Sequence, residues 1–127
     1  MINALFNQSN YVATKKMLDA TVLRHEAIAS NLANVETPNY KRVDVAADFS
    51  TELKQALSSQ DVNRMASMQP KLAVDTTAVA ANRDGNSVEL ENELMQLNQN
   101  TLAHGLETRL ISGTLLKMRL AITGKSA

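Results

Sequence analysis

Apolar residues recur at alternating spacings of four and three at both ends of the chain, and the pattern breaks down between them. Near the start, Tyr11, Lys15, Leu18, Val22, His25, Ala29 and Leu32 form one such series, a heptad seam of the kind that packed helices share. Lys15 and His25 interrupt it, and Met17, Leu23 and Ile28 widen the apolar face on its flanks, so this helix needs neighbours on more than one side. Ser9 or Asn10 is placed to cap a helix beginning at Tyr11. Toward the other end, Leu90, Leu94, Leu97, Thr101, His104, Thr108, Ile111, Leu115, Met118 and Ile122 keep the same spacing without a break. At about 1.5 Å per residue the first helix, Tyr11 to Asn34, spans roughly 36 Å and the second roughly 50 Å. Two helices of that shape at opposite ends of a chain pack most simply as an antiparallel pair. Gly105 and Gly113 weaken the longer one by about 1 kcal/mol each relative to Ala, so neither helix is robust alone.

The first helix is stopped abruptly. Pro38 fixes its own φ and drives Thr37 into an extended conformation, which ends the helix between Asn34 and Glu36. Thr37-Pro38-Asn39-Tyr40 fits a type II turn with a trans peptide before Pro38 and a positive φ at Asn39, one of the few residues that tolerates it. Asn31 and Asn34, three apart on one helical face, are placed to hydrogen-bond the last free carbonyls and the returning strand. Beyond this corner Lys41 to Val45 is short and extended, and Phe49, Leu53, Ala56 and Leu57 predict a short helix from Asp48 to Ser58. Residues 59–87 lack firm periodicity, contain Pro70 and the Asp84-Gly85-Asn86 turn signal, and offer Leu72-Ala73-Val74 and Ala78-Val79-Ala80 as short strands. A stretch of that length is expected to be a surface-facing loop region. The expected fold is all-α. Residues 1–36 and 86–127 form a terminal helical core, and 37–85 the corner, short helix and irregular middle.

Both seams lose their apolar character near the middle, at His25 in one and at Thr101, His104 and Thr108 in the other. Setting His25 opposite His104 brings Leu18 level with Ile111 and Tyr11 level with Met118, leaving Leu90 and Leu94 to cover the corner. The two histidines then form a register-setting polar layer, and a structure should hold them within about one helical turn, some 5 Å along the axis.

Composition narrows the function classes. Aromatic content is 3% and hydrophobic content 44%, so the interior is built from Ala, Leu, Val and Met, which favours close-packed helices. Thirteen basic and thirteen acidic residues cancel, leaving no net field to draw nucleic acid or an anionic membrane. Cysteine is absent, which removes disulfides, thiolate metal sites and Cys nucleophiles. No apolar run approaches the roughly 18 residues of a membrane span, and Met1 to Asn10 lacks the basic start and apolar centre of a cleavable signal. Two histidines are too few for a structural zinc, and no carboxylate shares their seam, so they are expected to be hydrogen-bonded core residues. No phosphate loop or nucleophile elbow is present. No cofactor, metal, nucleic acid or small-molecule substrate is implied, and an enzyme is not expected.

The segment Ser30 to Arg42, SNLANVETPNYKR, resembles the signature of the bacterial flagellar axial proteins, the rod and hook family. That signature typically reads Asn, two residues, Asn, two residues, Thr, Pro or another residue, Gly, Tyr. Asn31, Asn34, Thr37 and Tyr40 match it, and Asn39 stands where the family usually has Gly. Asp84 to Leu90, Glu93-Leu94-Met95, Asn100 and Met118 to Ile122 resemble the C-terminal half of a proximal-rod member. The two blocks together cover about half the chain. The resemblance implies a structural subunit of the basal-body rod, assembling helically into a shaft that transmits torque and encloses the export channel. Its implied neighbours are copies of itself, other rod proteins and the small adaptor joining the rod to the membrane ring. It also implies export through the flagellar apparatus into the periplasmic rod without cleavage of a signal. The competing reading is a soluble helical adaptor or secretion chaperone that uses the same apolar stripes to bind partner helices.

Overall fold

The computed structural model describes residues 4, 6–80 and 82–124; Ile2 and Leu5 of the N-terminal segment lie outside them. Helix α1, Ser9–Ala33, begins two residues earlier than its seam indicated. Its N-cap is Gln8, whose side chain makes no capping bond, so neither Ser9 nor Asn10 plays that part. The helix ends where Pro38 required, with Asn34 as C-cap.

The chain then returns as strand β1, Val43–Val45, which pairs antiparallel with β2, Leu72–Val74, in the register Val43↔Val74, Asp44↔Ala73 and Val45↔Leu72. The molecule is therefore mostly helical with a small two-stranded sheet, not all-α. Alternating β-branched residues around Asp44 suit a strand, whereas Ala78-Val79-Ala80 is irregular.

Helix α2, Ala47–Ser58, buries Phe49, Leu53 and Ala56, spaced four and three on one face. It closes with Gln60 at φ +52°, where Gln60 N–H donates to the Leu57 carbonyl and Asp61 N–H to the Ala56 carbonyl, the paired bonds of a Schellman motif. Asp61 then accepts from the Arg64 backbone at 2.9 Å and starts α3, Val62–Ser67. Six residues are too few to display a period, which is why α3 is not visible in the sequence pattern.

The apolar core lies on one side of α1. Val12 and Ala13 pack with Phe49, Leu53 and Ala56 of α2 and with Met65 and Met68, flanked by Tyr11, Ala20, Val45 and Val62. The long helix α4, Leu90–Thr123, contributes nothing to that cluster. It runs antiparallel along another side of α1, with Glu93 bonded to Asn31 and Glu107 to Thr21. The expected antiparallel pair is present, but of the expected α4 seam only Met118 is buried. The residues that α4 buries are Glu93, Asn100, Glu107 and Met118, while Leu90, Leu94 and Leu115 of the anticipated seam stay exposed.

Candidate functional site

The corner is a closed hydrogen-bonded unit. Asn31 is fully buried and satisfies every bonding position of its amide. Its Nδ2 donates to the Val43 carbonyl at 2.8 Å and to Glu93 Oε2 at 3.2 Å, and its Oδ1 accepts from Val43 N–H at 3.0 Å and from the Tyr40 hydroxyl at 3.4 Å. A side chain on α1 thus pairs with β1 as a strand backbone would. Asn34 Nδ2 donates to the Ser30 carbonyl at 2.8 Å, and its Oδ1 accepts from the Thr37 hydroxyl at 3.2 Å. Tyr40 also shares a hydrogen bond with Ser30 Oγ at 3.0 Å.

Pro38 follows a trans peptide and Asn39 sits at φ +60°. Tyr40 N–H donates to the Thr37 carbonyl at 3.3 Å, completing a turn of type II. Asn39 is the residue that departs from the axial-protein pattern, and its backbone adopts the conformation that Gly would.

The second block docks directly onto the first. Asn86, fully buried, donates from Nδ2 to the carbonyls of Asn34, Val35 and Thr37 at 2.8, 3.0 and 2.8 Å. It thereby ties down the carbonyls of the corner that follows α1, of which those of Asn34 and Thr37 also accept from the Thr37 and Tyr40 N–H groups. Its Oδ1 accepts from Val88 N–H at 2.8 Å. Asn39 N–H donates to the Asp84 carbonyl at 2.9 Å and Ser87 N–H to the Tyr40 carbonyl at 3.1 Å. Gly85 stands at φ +79°, and a Cβ there would lie 2.6 Å from Asn39 Oδ1. Sequence reasoning placed Asn86 only in a turn. Its capping role depends on a contact across 52 residues, which local pattern does not carry. Leu90 and Leu94, expected to cover the corner, are left about half exposed.

An ion cluster lies beneath the corner. Arg42 bonds Glu93 through Nε, and through a terminal nitrogen it bonds Asp44 at 3.0 Å and Asp75 at 2.8 Å. Arg24 also pairs with Asp44, at 2.9 Å. Burial disfavours the charge on Arg42, but the bonds to Glu93 and Asp44 outweigh it and raise its pKa. The Thr77 hydroxyl, with Arg42, holds Asp75 below the usual carboxylate range.

Farther along the helix pair the contact stays polar. Asn100 Nδ2 donates to the Thr21 carbonyl at 2.8 Å, and Asn100 Oδ1 is buried without a partner among the described residues. Thr21 Oγ1 lies 2.9 Å from the Leu18 carbonyl and 2.8 Å from Glu107 Oε2. A hydroxyl has one hydrogen, so both contacts are hydrogen bonds at once only when Glu107 carries the proton. Burial raises the Glu107 pKa in that direction, against the opposing effects of the Thr21 bond and the His104 charge.

His25 and His104 are both exposed and form no buried layer. The polar layer in the seam consists of Thr21, Asn31, Glu93, Asn100 and Glu107. The seven-residue spacing of Glu93, Asn100 and Glu107 was the available signal, hidden because a helix with apolar stripes on several faces does not announce which one turns inward. No cluster of three or more His, Asp or Glu able to hold a metal occurs among the described residues, and none of their helices is long and apolar enough to cross a membrane.

The outer side of α4 repeats the heptad spacing. Leu102, Leu106, Arg109, Gly113, Leu116 and Leu120 are four and three apart, and the four leucines are exposed, Leu102 by 75%.

This geometry agrees with the comparisons. The chain is 30% identical over 114 residues to the flagellar basal body rod protein FlgB of Aquifex aeolicus, covering 88% of this chain and 91% of the relative. The chain belongs to the FlgB family of flagellar basal body rod proteins. FlgB of Borrelia hermsii is 29% identical over 113 residues, 75% of this chain and 82% of the relative. FlgB of Escherichia coli K12 is 28% identical over 120 residues, with 82% and 86% covered. No family model matches the chain. Coverage of this extent spans both the corner and the α4 block, the two regions that Asn86 and Glu93 join.

Proposed function

We propose that this chain is a structural subunit of the proximal basal-body rod, packing side by side with copies of itself and with other rod proteins into a helical shaft. The carrying observation is α4, on which Leu102, Leu106, Leu116 and Leu120 form an exposed stripe on the side opposite the buried Glu93, Asn100 and Glu107. A helix that is apolar beyond the stripe it buries has further partners to meet. Contacts between different faces of successive subunits generate a helical array when the rotation between them does not close a ring, and such an array is the geometry of a shaft that transmits torque around an export channel. The role is mechanical, not enzymatic. The membrane-ring adaptor is the further partner that the family resemblance supplies, and it also implies export without cleavage of a leader. The corner, Asn31, Asn34, Thr37, Pro38, Asn39 and Tyr40, serves as the rigid joint between the terminal helices, residues 1–36 and 86–127, and the middle segment, 37–85.

Replacing Leu102 and Leu116 by Asp tests this reading. The variant should keep its helix content as a monomer yet be missing from isolated basal bodies and fail to restore motility to cells lacking the native chain. Normal incorporation would overturn the reading and favour an adaptor that binds through other surfaces. Mass spectrometry of the chain from basal bodies should find an uncleaved N-terminus.

A further inference from the structure

A groove of 390 Å³ runs between α1, α2 and α4, walled by Met17, Ala20, Phe49, Leu53 and Leu57. Asn100 and Glu107 line its α4 side. These two groups are short of donors: Asn100 Oδ1 has none among the described residues, and Glu107 Oε2 competes with the Leu18 carbonyl for the one Thr21 hydrogen. Of the cations bordering the groove, Arg24 is committed to Asp44 and Lys54 is exposed on α2.

The outer stripe of α4 presents the converse. It is apolar at Leu102, Leu106, Leu116 and Leu120 and interrupted once by a charge, Arg109, which has donors and no acceptor. Arg109 is exposed and has no hydrogen-bond or ion-pair partner among the described residues. Gly113, one turn on, would present a Cβ to open space, so the backbone there is free to approach a neighbour closely.

We propose that the outer stripe of α4 in one copy docks into the α1–α2–α4 groove of a second copy, with Arg109 donating to the Glu107 carboxylate and the leucines meeting the apolar walls. This rests on the rod-subunit reading and names the contact that reading leaves open. Stripe and groove occupy different faces of the subunit, so the contact is head-to-tail and propagates. It also resolves the Thr21 conflict in the opposite sense to protonation, because guanidinium donors satisfy an ionised Glu107 and release the Thr21 hydrogen to Leu18.

The absence of native cysteine makes the test direct. Full-length chains carrying Gly105→Cys, one turn before Arg109 at an exposed position with open space around it, and Gln99→Cys, an exposed position lining the groove, are mixed under mild oxidation with Arg109 left in place. Helix content is checked first by circular dichroism. The mixed disulfide should form on the order of tenfold faster than between Gly105→Cys and Arg64→Cys, since docking raises the effective concentration of the matched pair only. Equal rates, or no disulfide with either partner, would overturn the proposal. The same pair expressed in cells should give a product of two copies in isolated basal bodies, and a cross-link from Gln99→Cys to a chain of another mass instead would show that a different rod protein fills the groove and overturn the proposal. Selective cross-linking in solution by a chain that never enters basal bodies would uphold the contact and remove the rod reading instead.

Discussion

Helix α1 is held on two sides by opposite kinds of chemistry. Toward α2 and α3 it meets Phe49, Leu53, Ala56 and Met65 in a packed apolar cluster. Toward α4 it meets Glu93, Asn100 and Glu107 through hydrogen bonds. An apolar contact is favourable at almost any register, whereas a buried amide or carboxylate is tolerated only where its partners wait. The first side therefore supplies stability to one subunit, and the second supplies alignment, leaving the leucines of α4 available to neighbours.

Replacing Arg42 tests this division most severely. Arg42→Met leaves Glu93 buried without its cation and should cost about 3 to 5 kcal/mol, while removing both charges with Glu93→Leu should restore most of that loss. Urea unfolding of the single and double variants measures it, and a double variant as unstable as the single would mean that the ion pair itself stabilises the subunit. On the apolar side, Met65→Ala should cost about 2 to 5 kcal/mol in the same assay without altering the helix pairing. A smaller loss than that caused by Asn86→Ala would invert the comparison.

At the corner, Asn86→Ala removes the side-chain donor from the Asn34, Val35 and Thr37 carbonyls and should cost about 1 to 3 kcal/mol. Asn39→Gly should be nearly neutral there, and Asn39→Val damaging, because a β-branched residue is ill suited to φ +60°. Thermal melts of the three variants rank them, and equal melting for the Gly and Val variants would remove the geometric account.

The smallest effect concerns Glu107. Its folded pKa is raised, so its contribution is fully present below the unfolded carboxyl pKa and fades as pH rises through the folded value. Amide exchange at the end of α4 beyond Glu107 should quicken as pH rises, after correction for intrinsic rates, and Glu107→Gln should abolish the change. A pH trend that persists in the Gln variant would point to His104 or another group.

What was legible in the residues follows the range of the physics involved. The stop at Pro38, the left-handed Asn39 and the bonding of Asn31 to the returning strand are encoded within a dozen positions, and they stand in the structure as the local chemistry required. The inward face of α4 was misassigned because three heptad stripes share the helix, and the inward one is the least apolar. Periodicity counts leucines, and here the leucines face away. His25 and His104 drew notice as polar breaks in a stripe, yet both are exposed and only Met118 of the α4 stripe is buried. Asn86 and the Arg42–Glu93 pair were missed because each joins segments about 50 residues apart.

The Asn86 clasp imposes an order of events as well as a shape. The end of α1 cannot be sealed until residue 86 is at hand, and the Thr21–Glu107 bond waits for a residue 86 positions downstream. Contacts of such separation form late, after the entropy of closing long loops has been met. A chain folding from its first residues onward therefore stays unlocked until its final third is available, because the Asn86 clasp and the Thr21–Glu107 bond both wait for residues beyond position 85.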